Sequence, residues 1–133
     1  GYVLTLQARE QHIRREKASS NICSNQALCA LTVGVYLAAM GNEGLKNAAT
    51  QCYSKAHYMA QKFAEAGFEI ENGEFFHEFV TKSDKSSDAI LAALEEKGIL
   101  GGLPLDDHRI LWCCTEMNSK ADIDEAVEIV KEV

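Results

Sequence analysis

The sequence lacks most of the short motifs that identify a metal or nucleotide site. It contains no C-x-x-C pair, no two histidines at a metal-binding spacing, no G-x-G-x-x-G pattern and no P-loop. The five cysteines are an odd number at spacings that suit neither a disulfide framework nor zinc: Cys23, Cys29, Cys52, Cys113 and Cys114. We therefore expect no metal, and buried, reduced thiols in a cytoplasmic protein.

The sequence also contains a long run without charged residues. Residues 18–42 carry no charged side chain, which raises the question of a membrane span. Only residues 27–40 are apolar throughout, however, and these 14 residues fall short of the about 20 that a bilayer crossing needs. We expect no membrane contact. Instead the run predicts a helix capped by Ser24 or Asn25, the most buried of the protein and partly covered by something outside this chain.

An initiator methionine and a secretory signal are also missing, since the chain opens Gly1-Tyr2-Val3-Leu4. This opening favours a piece of a longer polypeptide. We see no internal repeat and no low-complexity linker, and 133 residues suffice for one domain with its own core.

The charges present are unevenly distributed. The net charge is −7, yet residues 1–17 hold four basic and two acidic residues, so the rest of the chain balances at −9. An acidic body argues against nucleic-acid binding. The dense basic segment, followed by Ser19, Ser20 and Asn21, suits an anionic ligand or a partner surface. A surface helix with i,i+4 pairs, Gln11 with Arg15 and Glu10 with Arg14, is the alternative.

Hydrophobic periodicity predicts a small α/β fold. The predicted elements are a weak strand at 1–6, helices at 7–17 and 27–40, a turn at 41–44, a helix from Leu45 to Gly67, strands at 68–71 and 74–82 around an Asn72-Gly73 turn, a helix from about Ser87 to Gly98, a glycine loop at 98–105, a strand at 109–115 and a last helix from Ser119. This order predicts about three strands covered on one face by helices, a two-layer domain at 27–133 behind a basic helical connector at 1–26.

Apolar side chains at three- and four-residue steps mark the inner helix faces. In the long helix they are Leu45, Ala48, Ala49, Cys52, Ala56, Met59, Ala60 and Phe63. In the last helix they are Ile123, Ala126, Val127 and Val130, after a capping box of Ser119 and Asp122. His57, on the long helix, we interpret as a boundary residue.

Two stretches carry a resemblance to a known family. The first is the segment from Arg9 to Gln26, which begins R-E-Q-H-I-R-R-E-K-x-x-S-N-I-C, and the second is the loop G-I-L-G-G-L-P-L at 98–105. Both resemble glycine dehydrogenase (decarboxylating), the P-protein of the glycine cleavage system. The match is to the C-terminal part of its subunit 1.

The resemblance implies the small C-terminal α/β domain of a fold-type I pyridoxal-phosphate (PLP) enzyme. It implies that the whole enzyme, a cytoplasmic heterotetramer, decarboxylates glycine on PLP and passes the aminomethyl group to the lipoyl arm of H-protein. Subunit 2 would be the partner and would carry the Schiff-base lysine, so no catalytic residue is expected here.

By the same resemblance, eight residues are expected to bind the cofactor or to line the active-site region between subunits: Arg9, His12, Arg14, Arg15, Lys17, Ser19, Ser20 and Asn21. The chain alone would be catalytically silent. The alternative function is a free-standing interaction module with an anion-binding basic segment.

Overall fold

The computed structural model describes residues 1, 11–18, 25–71 and 73–133, and of His12 only the backbone. The predictions for residues 2–10, 19–24 and 72 lie outside this part of the chain. The elements are α1 Gln11–Arg14, α2 Ala27–Glu65, β1 Glu69–Ile70, β2 Glu78–Lys82, α3 Ser87–Glu96, β3 Leu103–Asp106, β4 Arg109–Cys113 and α4 Lys120–Glu132, with a 3₁₀ turn at Arg15–Lys17.

A single glycine interrupts α2. Gly41 has φ 61° and ψ −174°, so helical geometry stops at this residue and resumes after it. The predicted turn over 41–44 is thus confined to one position, because glycine adopts a positive φ without steric cost. The chain divides here into two compact units, Gly1–Met40 and Gly41–Val133. The predicted boundary between 1–26 and 27–133 stays a prediction.

The first part of α2, residues 27–40, is exposed in this chain. Leu28, Leu31 and Val35 are 75%, 64% and 61% exposed, and none of the described residues before Gly41 is buried. Within this chain the helix is therefore not the most buried one, and the predicted cover from outside the chain stays a prediction. The described part of this unit has no second layer against which the apolar side chains could pack.

By length and composition, α2 also meets the requirement for a membrane crossing, with a mean hydropathy of 1.3 over its most apolar window. Gly41 limits the regular apolar segment to 14 residues. A bilayer needs about 20. The helix geometry thus gives no support to a membrane span.

Among the described residues, the sheet has four antiparallel strands in the order β1-β2-β4-β3. Glu69 pairs with Lys82 across β1 and β2, so the connection covers residues 71–77 and is longer than the predicted Asn72-Gly73 turn. The extra strand, β3, lies where a glycine loop was predicted. All four of its residues are exposed, so it carries no burial pattern that periodicity could reveal.

The core lies between one face of this sheet and the helices α2, α3 and α4. Its largest fully buried side chains include Phe63, Phe79, Ile90, Leu94 and Ile110. The predicted inner face of α4 is confirmed at all four positions, and that of α2 is confirmed from Ala56 to Phe63. These buried faces confirm the two-layer α/β class.

The first half of the predicted α2 stripe is an exception. Leu45 and Ala49 are exposed, and Ala48 and Cys52 are only half-buried. Burial in α2 begins at Ala56, where the helix first reaches the core cluster.

Helix ends follow the predicted signals closely. Gly67 and Gly98 have φ 93° and 75°, the left-handed geometry that ends a helix. The capping box at α4 is present, since Oγ of Ser119 accepts a hydrogen bond from the N–H of Asp122 at 3.1 Å. In return, Oδ2 of Asp122 accepts from the N–H of Ser119 at 2.7 Å.

Candidate functional site

The described part of the basic segment is exposed and is not one continuous helix. Helix α1 ends at Arg14, and Arg15 has a left-handed backbone with φ 51°. The predicted i,i+4 pair of Gln11 with Arg15 therefore loses its helical geometry. Arg14, Arg15 and Lys17 are all exposed and lie within four residues of one another.

The remaining predicted site residues lie outside the described part of the chain: Arg9, the His12 side chain, Ser19, Ser20 and Asn21. Their expected place at an active site between subunits stays a prediction. Immediately after them, Oδ1 of Asn25 accepts a hydrogen bond from the N–H of Ala27 at 2.9 Å. Asn25 is thus the capping residue that the polar run predicted for α2.

A cavity of about 370 Å³ lies beside the glycine loop. Gly101, Gly102, Cys113, Cys114 and Asn118 are among its lining residues. The loop contacts the body of the domain closely. A β-carbon on Gly101 would lie 2.6 Å from Cδ2 of Leu91, and one on Gly102 would collide with the carbonyl oxygen of Leu111. Glycine is therefore needed for packing at this wall.

The thiols of Cys113 and Cys114, which also line this cavity, are poor nucleophiles. Burial raises the pKa of Cys114 to about 11, and its Sγ donates a hydrogen bond to Sδ of Met59 at 3.2 Å. Burial and the nearby Glu78 carboxylate raise the pKa of Cys113 as well. Both thiols stay protonated at neutral pH, and only a thiolate attacks efficiently. The cavity is thus a binding recess without an activated cysteine.

The expectation of buried thiols holds only in part. Cys114 is buried, but Cys29 and Cys113 are exposed and Cys52 is half-buried. Cys29 is exposed because it lies on the uncovered segment of α2, and Cys113 because it lies on the sheet face opposite the core. All four are free thiols.

His57 has a structural environment, as predicted. Its ring stacks on Phe75 with centroids 4.1 Å apart and an interplanar angle of 9°. Its Nε2 lies 3.1 Å from the carbonyl oxygen of Phe75 and donates to it. These two contacts with His57 therefore hold the segment before β2 against α2.

Another group of side chains comes together through strand pairing. The ligand atoms of His77, Glu78 and Cys113 all lie within 4.8 Å of one another. Glu78 and Cys113 are partners in the β2–β4 register. Their separation along the sequence concealed the group, because only the pairing of β2 with β4 brings them together.

Comparison with known proteins agrees with this fold. The family model described as glycine cleavage system P-protein matches residues 1–130. Probable glycine dehydrogenase (decarboxylating) subunit 1 of Moorella thermoacetica is 49% identical over 98% of this chain and 31% of its own length. The corresponding protein of Listeria monocytogenes is 50% identical over 96% of this chain and 30% of its own length.

A solved structure shows the same likeness in three dimensions. The crystal structure of glycine decarboxylase (P-protein) of the glycine cleavage system, in inhibitor-bound form, aligns with a TM-score of 0.78 and 38% identity. The alignment covers 98% of this chain and 31% of that one.

Fold and likeness together define a small α/β domain of a larger enzyme subunit. The chain belongs to the glycine cleavage system P-protein family. It spans about a third of the length of the curated relatives that it matches, which fits one domain of their subunit 1.

Proposed function

We propose that this chain serves as a packing and interface domain of subunit 1 in a glycine-decarboxylating enzyme. The observation that carries the proposal is the exposed segment 27–40 of α2. Its leucines and valines are more than half exposed at several positions, as at Leu28 and Val33 with 75% and 55%. A contiguous apolar surface of this kind marks an interaction site. The part of subunit 1 that this chain does not span would supply the cover.

PLP is the cofactor that the family suggests, and it would act as the electron sink for loss of the glycine carboxylate. The residues that line the cavity beside the glycine loop do not include a group that could hold it covalently. The 370 Å³ cavity has no lysine or arginine among its lining residues. Lys55 and Lys85 donate to the carbonyl oxygens of Glu116 and Val130 at 2.6 and 2.8 Å. We therefore propose that the Schiff-base lysine belongs to the partner subunit.

The other partners follow from the same proposal. Glycine would be the substrate, subunit 2 the protein partner and lipoylated H-protein the acceptor of the aminomethyl group. The exposed cations at Arg14, Arg15 and Lys17 support a local contact with an anionic group at the subunit boundary. We also propose a cytoplasmic location, which the four free thiols of the described chain support.

A chimera tests the proposal directly. The matching third of subunit 1 from the Moorella thermoacetica relative is replaced by this chain and assembled with its own subunit 2 and lipoylated H-protein. We expect glycine-dependent release of carbon dioxide at a rate close to that of the parent enzyme, since the domains are 49% identical.

A second chimera serves as control and carries Leu31→Glu in the exposed apolar segment. It should lose assembly with the rest of the enzyme, because a buried unpaired carboxylate is strongly unfavourable. A first chimera that folds and assembles but releases no carbon dioxide would contradict the proposal. Full activity in the Leu31→Glu chimera would show that this helix is not the covered surface.

A further inference from the structure

A nitrogen, an oxygen and a sulfur ligand converge at one end of the sheet. His77, Glu78 and Cys113 each offer one ligand atom, and these atoms lie within 4.8 Å of one another. This spacing matches three ligands around one ion, because metal–ligand distances of about 2.0–2.3 Å place the ligands of a tetrahedral zinc roughly 3–4 Å apart. The 4.8 Å limit is slightly larger than these separations, so the three side chains would have to move closer together to form such a shell.

The backbone holds two of these residues in register. Glu78 and Cys113 face each other across β2 and β4. The flanking positions Phe79 and Trp112 point into the core and are buried, so Glu78 and Cys113 lie on the opposite, open face. A cross-strand pair has β-carbons about 5 Å apart, close enough for both side chains to reach one ion.

The backbone of His77 continues the hydrogen bonding between β2 and β4. Its carbonyl oxygen accepts a hydrogen bond from the N–H of Cys114 at 3.0 Å. Its Nδ1 is fully buried and has no hydrogen-bond partner among the described residues. A buried polar atom without a partner costs free energy, and a bound ion or an ordered water explains such an atom. This unpartnered nitrogen belongs to the same imidazole ring that contributes a ligand atom to the group.

We propose that His77, Glu78 and Cys113 form a binding site for a borderline-soft divalent cation, with Zn²⁺ as the natural occupant. Imidazole, carboxylate and thiolate are the three donor types that zinc accepts. On binding, the Cys113 S–H bond breaks, its proton passes to water and the sulfur bonds to the metal. A water molecule completes the four-coordinate shell. A bound ion would link the start of β2 to the end of β4. The proposed site does not depend on the proposed enzymatic role.

Cobalt titration of the full 133-residue chain under reducing conditions tests the site. We expect one equivalent of Co²⁺ to produce a thiolate-to-cobalt charge-transfer band, which Zn²⁺ then removes by displacement. Cys113→Ser should abolish the band. His77→Gln and Glu78→Gln should each weaken Co²⁺ binding by at least about 10-fold, since even outer-shell changes cost that much. Cys29→Ser and His108→Gln are matched controls at exposed positions away from the site and should leave the band unchanged.

A measurement on the unaltered chain removes the risk that a variant unfolds. Alkylation by iodoacetamide at an alkaline pH where the metal-free Cys113 reacts, followed by peptide mass spectrometry, reports each cysteine separately. Zn²⁺ should protect Cys113 and leave the exposed Cys29 reactive. Equal alkylation of Cys113 with and without Zn²⁺, or a cobalt band that survives in Cys113→Ser, would overturn the proposal.

Discussion

Nε1 of Trp112 donates a 2.7 Å hydrogen bond to Oγ1 of Thr81 inside the core. The two side chains are 3% and 2% exposed. Thr81 pairs with Ile110 in the sheet, so the bond runs diagonally between β2 and β4. A buried indole N–H needs an acceptor, and the threonine hydroxyl allows a large aromatic ring to lie in the core without leaving its donor unpaired.

Replacing Thr81 by valine tests this relationship. The shape of the side chain is nearly kept, but the indole N–H loses its acceptor, which should lower the free energy of unfolding by about 1–3 kcal/mol. Urea denaturation measures the change. The control is Thr50→Val, at an exposed hydroxyl that donates to the Lys46 carbonyl of its own helix. Equal changes in the free energy of unfolding for both variants would show that the buried hydrogen bond stabilises the fold no more than the exposed one.

Gly102 should be intolerant of any side chain. A β-carbon there would collide with the carbonyl oxygen of Leu111 and lie 2.6 Å from Cγ2 of Ile110. Because strand backbone cannot yield as a flexible side chain can, we expect Gly102→Ala to cost about 1–3 kcal/mol. Thermal unfolding monitored by circular dichroism checks this. Gly73→Ala is the control, since nothing lies within 4 Å of its β-carbon position.

The capping box at α4 should make stability depend on pH. Hydrogen bonds from Ser119, chiefly from its backbone N–H, lower the pKa of Asp122 below its usual value of 3.8. The folded state therefore holds the proton more weakly than the unfolded state, so the stabilisation is complete above pH 3.8 and is lost as the pH falls through the lowered pKa.

Asp122→Ala measures this contribution. Its melting temperature should lie below that of the unaltered chain at neutral pH, and the two should converge as the pH falls below 3.8 through the lowered pKa. Ser119→Ala should cost about 1 kcal/mol at neutral pH through loss of the cap. A melting difference that stays constant across this pH range would contradict the role of the ionised carboxylate.

The uncovered segment of α2 should cause self-association of the isolated chain. We expect it to bind a hydrophobic dye and to form larger species as concentration rises. Analytical ultracentrifugation provides the measurement. Leu28→Glu combined with Leu31→Glu should suppress both effects, whereas Met117→Glu, at an 81% exposed residue of a turn, should not. A monomeric, dye-silent parent chain would exclude an interaction surface here.

Ser20 is expected to contact the cofactor phosphate or the substrate in the assembled enzyme. A hydrogen bond to a charged group contributes about 1.5–3 kcal/mol. Ser20→Ala should therefore weaken cofactor retention or glycine turnover by about 10- to 100-fold. The exposed Ser54 supplies the control variant Ser54→Ala. A drop in melting temperature parallel to the loss of activity would instead make Ser20 a structural residue.

The sequence predicted best where one local signal decides the structure. The Ser119–Asp122 box and the inner face of α4 depend on neighbours within a few residues, and both are confirmed. Residues 27–40 are exposed because the described part of their unit offers no second layer, so hydrophobicity alone did not predict their exposure in this chain. Strand β3 was missed because its exposed residues, Pro104 among them, show no alternation.

The candidate sites divide in the same way. The basic segment was visible in the sequence as a local density of charge, although most of it lies outside the described residues. The group of His77, Glu78 and Cys113 was not visible, since Cys113 is far from the other two along the sequence and only the β2–β4 register brings it close to them. Sequence spacing detects ligands on one element but not ligands that pairing brings together.

The two edge strands of the sheet are built in a way that disfavours aggregation of a newly made chain. Edge strand β1 has only two residues, and edge strand β3 contains Pro104 and a register shift before Asp106. Short strands and a proline without an N–H are poor templates for the addition of a foreign strand. Amyloid-like growth from these edges is therefore disfavoured. Within the described chain, the exposed apolar segment 27–40 of α2 is therefore a more favourable site for non-native association than either sheet edge.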